Sequence, residues 1–302
     1  MGIDAQGRFW RAAQSSEVRY DIYLMTLTLP LGWRGSRADS ASFDKNLNNV
    51  EPLIDLTDLQ FVTTYGLVRL ACTLAHNEKR GFETAVCLPL SVNVRNYLSR
   101  MGFQTVLDEY SCSKPSDLPI VRSSNLTDLL LELQTFEDNL SIEKLSNLVW
   151  NRLDGRVSPQ SLDAIYMGLG EIADNVRYHA GISWGFIAAQ TYMTGTPQER
   201  ITFAIGDIGI GIRKALALYR PNTDLKAIKL ALTYDVSGID EPGRGVGIPT
   251  TVEAVTDIQG FVHLRTGVSS VDVFKEKTIE NMQTKHLDGT IIGVEVPCRP
   301  GG

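Results

Sequence analysis

From Val50 onward the hydrophobic positions alternate between a short extended period and a helical one. Leu53–Leu59 and Thr84–Leu88 read as strands, and Gly66–Asn77 and Val92–Met101 carry the three-and-four spacing of helices. Gly102 sits in the C′ position that closes the second helix. Strand–helix–strand–helix at this spacing predicts a small parallel or mixed sheet. Leu126, Leu129, Leu130, Leu133 and Phe136 mark one face of a predicted helix over 125–150, interrupted by Asp154, Gly155, Ser158 and Pro159. A further helix begins near Ser161, with Ile165, Leu169, Ile172 and Val176 as its apolar stripe. Two strands follow, Gly185–Tyr192 and Glu199–Gly206, joined by the turn signal Thr194–Gln198. In the second, Ile201, Phe203 and Ile205 alternate with Thr202 and Ala204, the pattern of a strand with one buried face. A helix over 225–232, an apolar-periodic stretch over 250–255 and a closing strand over 288–297 complete the pattern, which predicts a two-layer α/β sandwich. Ahead of Val50, only Tyr20–Leu29 reads as a strand, and Arg34–Asn49 reads as a polar loop. The expected organisation is an extension over 1–49, a small α/β unit over 50–112, a linker and helix over 113–160, and a main α/β domain over 161–302.

Composition narrows the function. An apolar fraction of 43% supplies real cores, and a net charge of -6 without a lysine/arginine block lacks the footprint of a nucleic-acid binder. No run of eighteen apolar residues is present, so no membrane span is expected. The N-terminal residues read as neither a signal peptide nor a myristoylation signal. Cys72, Cys87, Cys112 and Cys298 show no close pairing, which fits core or incidental thiols of a cytoplasmic protein.

The candidate chemistry begins on the helix from Ser161. Glu171, Asn175 and His179 recur every four residues and share one face. Such a triplet is also what a solvated face carries, so it decides nothing alone. Asp207-Ile-Gly-Ile-Gly211 ends a strand with an acid and two glycines, which lets backbone approach a flat ligand while the acid accepts from an exocyclic amine. Gly243-Arg-Gly-Val-Gly247 opens a helix with Pro249 in its first turn. Free backbone N–H groups there suit phosphate, and Arg244 adds a charge. Gly289-Thr290 precedes the closing strand and can reach the same pocket. No dinucleotide fingerprint and no P-loop is present.

In this order the four stretches resemble the GHKL ATPase superfamily of gyrase, heat-shock chaperones, histidine kinases and mismatch-repair proteins. Glu171 and Asn175 match its N box, Asp207, Gly209 and Gly211 its G1 box, Gly243, Gly245 and Gly247 its G2 box, and Gly289-Thr290 its closing motif. The resemblance implies a Bergerat-type ATP-binding domain over 161–302, with Asp207 reading adenine, Asn175 ligating Mg²⁺ and Glu171 acting as the base. It also implies a mobile lid over 213–242, hinged near Asp240–Gly243. Glutamate at 171 and His179 are most similar to the anti-sigma factor serine kinases. Gyrase-type enzymes carry a transducer domain after the ATP domain, and only five residues follow Pro297.

The 50–112 unit is similar to STAS domains, the fold of anti-sigma factor antagonists, through Leu53–Val68 and Val94–Phe103. Thr63-Thr-Tyr-Gly66 stands where that family has Asp-Ser-Ser-Gly. Thr64 takes the phosphoacceptor position, although capping the helix is the plainer role for a hydroxyl there. The implied function is a serine/threonine protein kinase or slow ATPase in a regulatory partner switch. The alternative is an ATP-sensing regulator that acts through partner binding. A STAS-type or sigma-factor-like protein partner is expected, with a homodimer as a further option. The N-terminal half is expected to pack on the ATP domain near its lid, at high effective concentration.

Overall fold

The computed structural model describes residues 2–3, 9–10, 53–112, 118–120, 129–137, 139–237 and 245–299, without side-chain detail at 2–3, 9–10, 178–179 and 283–285. The strand and loop expected ahead of Asn49 lie outside the described residues, as does the expected hinge Asp240–Gly243.

The fold is mixed α/β. Its centre is a five-stranded, wholly antiparallel sheet built from β3 (Leu130–Phe136), β4 (Gly185–Tyr192), β5 (Arg200–Gly206), β6 (Phe261–Val273) and β7 (Thr278–Pro297). The strand order is β3-β4-β5-β7-β6. A separate parallel pair, β1 (Leu53–Asp55) and β2 (Ala85–Cys87), precedes it. On one face of the large sheet lie α4 (Asn139–Leu153), α5 (Pro159–His179) and α8 (Gly247–Asp257), together with the short α6 (Gly211–Ala215) and α7 (Asp224–Ala231). Ile187, Ile201, Phe203, Ile205, Leu264, Ile292 and Val294 point into this layer, against Ile165, Leu169, Ile172 and Val255.

The opposite face carries α1 (Thr64–Lys79), flanked by α2 (Val92–Arg100) and α3 (Phe103–Tyr110). Alternation along the strands sends Phe186, Ala188, Ala204 and Ile291 to this side. α1 is buried along almost its whole length, from Thr64 to Asn77. A helix buried on every side belongs inside a core rather than on a surface, although α1 carries polar residues such as Arg69, Thr73 and Asn77 with it. It seats closely because the strand positions beneath it are small. Gly206 has Val68 and Cys72 directly above it, and a Cβ there would stand 2.7 Å from Val68 Cγ1. Side chains also cross the seam. Thr64 Oγ1 donates to Thr202 Oγ1 at 3.1 Å, and Tyr65 Oη lies 3.3 Å from Nε2 of His263, whose Nδ1 meets Asp272. At the far end of α1, His76 Nε2 lies 3.1 Å from Asp288 Oδ2. Burial holds this imidazole below its ordinary pKa, against the opposing pull of Asp288, so the contact is ionic only in acid.

Four expectations change. The stretch expected as a helix over 125–150 is strand β3 followed by α4. The two layers expected over 161–302 gain a third from outside that range, since α1 covers the other face of the sheet. Residues 53–112 share a continuous core with the sheet rather than packing near the expected lid, because α1 lies on the face opposite α6 and α7. The helix cap is Thr63, whose Oγ1 accepts the Gly66 N–H at 3.1 Å, while Thr64 is buried against the sheet. A phosphate on Thr64 would have to enter that seam. No helix among the described residues is long and apolar enough to cross a membrane.

The shared core predicts one unfolding unit. Leu70, fully buried in α1, is expected to cost about 2–5 kcal/mol when changed to alanine. Leu90, which is 74% exposed, is expected to cost under about 0.5 kcal/mol. In urea, far-UV circular dichroism and the fluorescence of Trp150 and Trp184, which report on opposite faces, should shift together in Leu70→Ala. Two separated transitions, with only one displaced, would show that α1 is an independent unit.

Candidate functional site

The site is built where α5, α8 and the C-terminal end of β5 converge. α5 starts sharply because Ser158 Oγ accepts the Ser161 N–H at 3.1 Å and Pro159 occupies its first turn. Its apolar stripe docks on the sheet, which leaves Glu171 and Asn175 facing a pocket. α8 crosses α5 with Thr251 against Gly168, and this brings the Gly247 backbone onto the Glu171 side chain. The start of α8 is stabilised internally: Thr251 Oγ1 donates to the Gly247 carbonyl at 2.7 Å.

The pocket encloses about 890 Å³, its open mouth included. Glu171, Asn175, Asp207, Gly211, Gly245, Gly247 and Thr290 line it, with Ile172, Val176, Ile205, Ile212, Leu216, Val236 and Ile292 as apolar walls. A concave, mostly apolar pocket with a few convergent polar groups is the usual form of a small-molecule site. Gly209 stands one step behind: its N–H donates to Asp207 Oδ1 at 2.7 Å. Gly243 and Arg244 lie outside the described residues. The α5 backbone reaches His179, whose side chain is likewise outside them.

Asp207 is the chemical centre. It leaves β5 with its backbone N–H donating to the Thr290 carbonyl at 2.9 Å, and its side chain is buried. Gly289, at φ +87, passes so close that a Cβ would collide with the Asp207 carbonyl oxygen. Burial raises the Asp207 carboxyl to about 7, against hydrogen bonds from the Gly209 and Thr290 backbone. A buried acid aimed into an apolar pocket is suited to a ligand that brings its own donor.

The segment expected as a lid is anchored by residues that the sequence reading passed over. Asp224, at the start of α7, accepts the Val268 N–H at 2.8 Å through Oδ2 and pairs with Arg213 at 3.8 Å. The Tyr219 hydroxyl accepts the N–H of Ser237, the last described residue before position 245, at 3.4 Å. Thr266 also escaped notice; its hydroxyl reaches both Gly289 and Ile212. A lone threonine inside a β-strand carries no sequence signal of such a role.

The carboxyl of Asp207 sets a pH signature. Its folded pKa near 7 lies above the ordinary 3.8, so the folded chain holds the proton more tightly than the unfolded one. Stability is therefore complete below about pH 4, falls as pH rises to 7, and stays level above. A displacement of that size corresponds to roughly 4 kcal/mol. Asp207→Asn keeps the oxygen that accepts from Gly209 and removes the ionisation. Differential scanning calorimetry without ligand should find this variant several degrees more stable than wild type at pH 8 and level with it below pH 4. An unchanged difference across that range would refute the buried-acid account.

No family model, no curated protein and no solved structure matches this chain.

Proposed function

We propose that this chain is a Mg-ATP-binding protein of the GHKL type, acting as a serine/threonine protein kinase or slow ATPase in a regulatory partner switch. One observation carries the proposal. Glu171, Asn175, Asp207, Gly211, Gly245, Gly247 and Thr290 come from four stretches of sequence and line a single pocket. The arrangement around them, an antiparallel sheet backed by α5 and α8 with a glycine turn at the end of β5, supports a Bergerat-type reading of the main domain. The parallel β1–β2 pair with α1 and α2 supports the STAS-like reading only in part, since α1 serves the larger sheet.

The donor set fits the nucleotide. Asp207 offers a buried acceptor for the adenine amino group, and Ile172, Val176 and Ile292 offer apolar contact for its ring. The start of α8 presents backbone N–H groups to phosphates. Asn175 is a neutral oxygen donor, which suits Mg²⁺ that takes most of its ligands from phosphates and water. The metal would neutralise charge on the phosphates. Glu171 stands beside the α8 start, where a carboxylate can take the proton from an attacking hydroxyl or water.

A second reading, an ATP-sensing regulator that acts through a protein partner, is favoured by the contacts behind the pocket. Val68 and Cys72 of α1 press on Gly206, and His76 meets Asp288, so α1 touches the residues flanking both pocket turns. A nucleotide that moves those turns would move α1.

Three variants test the site, and one of them separates the readings. Asp207→Asn should weaken Mg-ATP binding roughly ten- to a hundred-fold by isothermal titration calorimetry, the cost of a lost hydrogen bond to a charged group. Unchanged affinity would remove the adenine assignment. Glu171→Ala should bind Mg-ATP normally while released and transferred phosphate both fall at least about a hundred-fold. Normal turnover in that variant would favour the sensor. Asn175→Ala should instead lose the dependence of binding on Mg²⁺.

A further inference from the structure

Thr266 sits in β6, paired with Thr290 of β7, immediately before the register of that strand pair shifts. It is buried and does not line the pocket. Its Oγ1 donates to the Gly289 carbonyl at 2.8 Å and accepts the Ile212 N–H at 3.3 Å. The same oxygen stands 2.9 Å from where a Cβ on Gly211 would be. One hydroxyl therefore uses its donor and its acceptor to join two separate turns.

These are the turns that bracket Asp207. The Gly209 N–H donates to its carboxyl, and its own backbone N–H donates to the Thr290 carbonyl. If the turns drift apart, the carboxyl loses its aim. We propose that Thr266 is a positioning residue of the nucleotide site: its hydroxyl fixes the spacing of the two turns and thereby directs Asp207 at the base. This rests on the reading of the pocket as an ATP site. The strand carries a second tie two residues further on, where Asp224 of α7 receives the Val268 N–H. The base-reading turns and α7 are thus fastened to alternate residues of one strand, Thr266 and Val268.

Valine copies the shape of threonine without its hydroxyl. Thr266→Val leaves the Gly289 carbonyl and the Ile212 N–H without this partner, whereas Thr266→Ser keeps it. The test uses the full chain in three forms: wild type, Thr266→Val and Thr266→Ser. Calorimetry measures Mg-ATP affinity, and amide hydrogen exchange follows the Ile212 N–H without nucleotide. Thermal unfolding checks each fold. Thr266→Val should bind Mg-ATP about three- to tenfold more weakly, the loss expected for one neutral hydrogen bond. Exchange at Ile212 should quicken by a similar factor, and Thr266→Ser should restore both. A threonine that only fills space would show neither the faster exchange nor the rescue by serine. Should Thr266→Val not fold, Thr266→Cys, whose thiol is a poor donor, takes its place with the same expectations. Wild-type affinity in the hydroxyl-deficient variant overturns the positioning role alone. Absence of Mg-ATP binding by the wild type overturns the ATP reading and this inference with it.

Discussion

The structure depends on the seating of one helix. α1 lies along the face of the sheet that the strands furnish with Ala188, Ala204, Gly206 and Gly293, and it fills the space those small side chains leave. Close approach gives dispersion contact along the whole helix, and each buried leucine or valine adds roughly 1.5–3 kcal/mol. With that face covered, the strands need no polar outer surface. β4 and β5 are accordingly buried on both sides, which is unusual for antiparallel strands with one exposed face as the default. The sheet so fixed is the platform from which α5, α8 and the β5 turn project their polar groups into the pocket.

That platform carries a local cost. Asp207 is buried where β5 meets the pocket, and the pKa of its carboxyl is raised by that burial. Such a penalty persists because surrounding contacts over-determine it. Here the contacts are the two turns held by Thr266 and the rear wall formed by Val68 and Cys72 of α1.

Much of the candidate site was legible in the sequence. Glycine and acid patterns survive as local features, and Glu171 with Asn175 needs only helical periodicity to share a face. The limits α1, α2, α5 and α8 were also close to their predicted ranges. The errors have physical causes. β3 carries leucines at helical spacing, and a register shift between Leu131 and Gln134 breaks the two-residue alternation that would have revealed a strand. Thr202 and Ala204 looked solvent-facing because small and polar residues usually are. Here they are small because a helix rests on them, and Thr202 is polar because Thr64 bonds to it. Helix-to-sheet partnership is a long-range property, and local pattern cannot announce it. The same holds for Thr266 and Asp224, whose roles arise from groups far away in the chain.

The polar groups in the seam beneath α1 have a consequence of their own. A seat of alanines and glycines is smooth, and a helix on a smooth surface can slide or turn at little cost. The Thr64–Thr202 and Tyr65–His263–Asp272 contacts act as pegs in matching holes. Displacing the helix by one residue would break the Thr64–Thr202 bond and carry the Tyr65 hydroxyl away from the His263–Asp272 pair, in a layer that is otherwise mostly apolar. The seam therefore selects its occupant: a foreign amphipathic helix of equal hydrophobicity, lacking a tyrosine at the matching step, would forgo the hydroxyl contact with the His263–Asp272 pair.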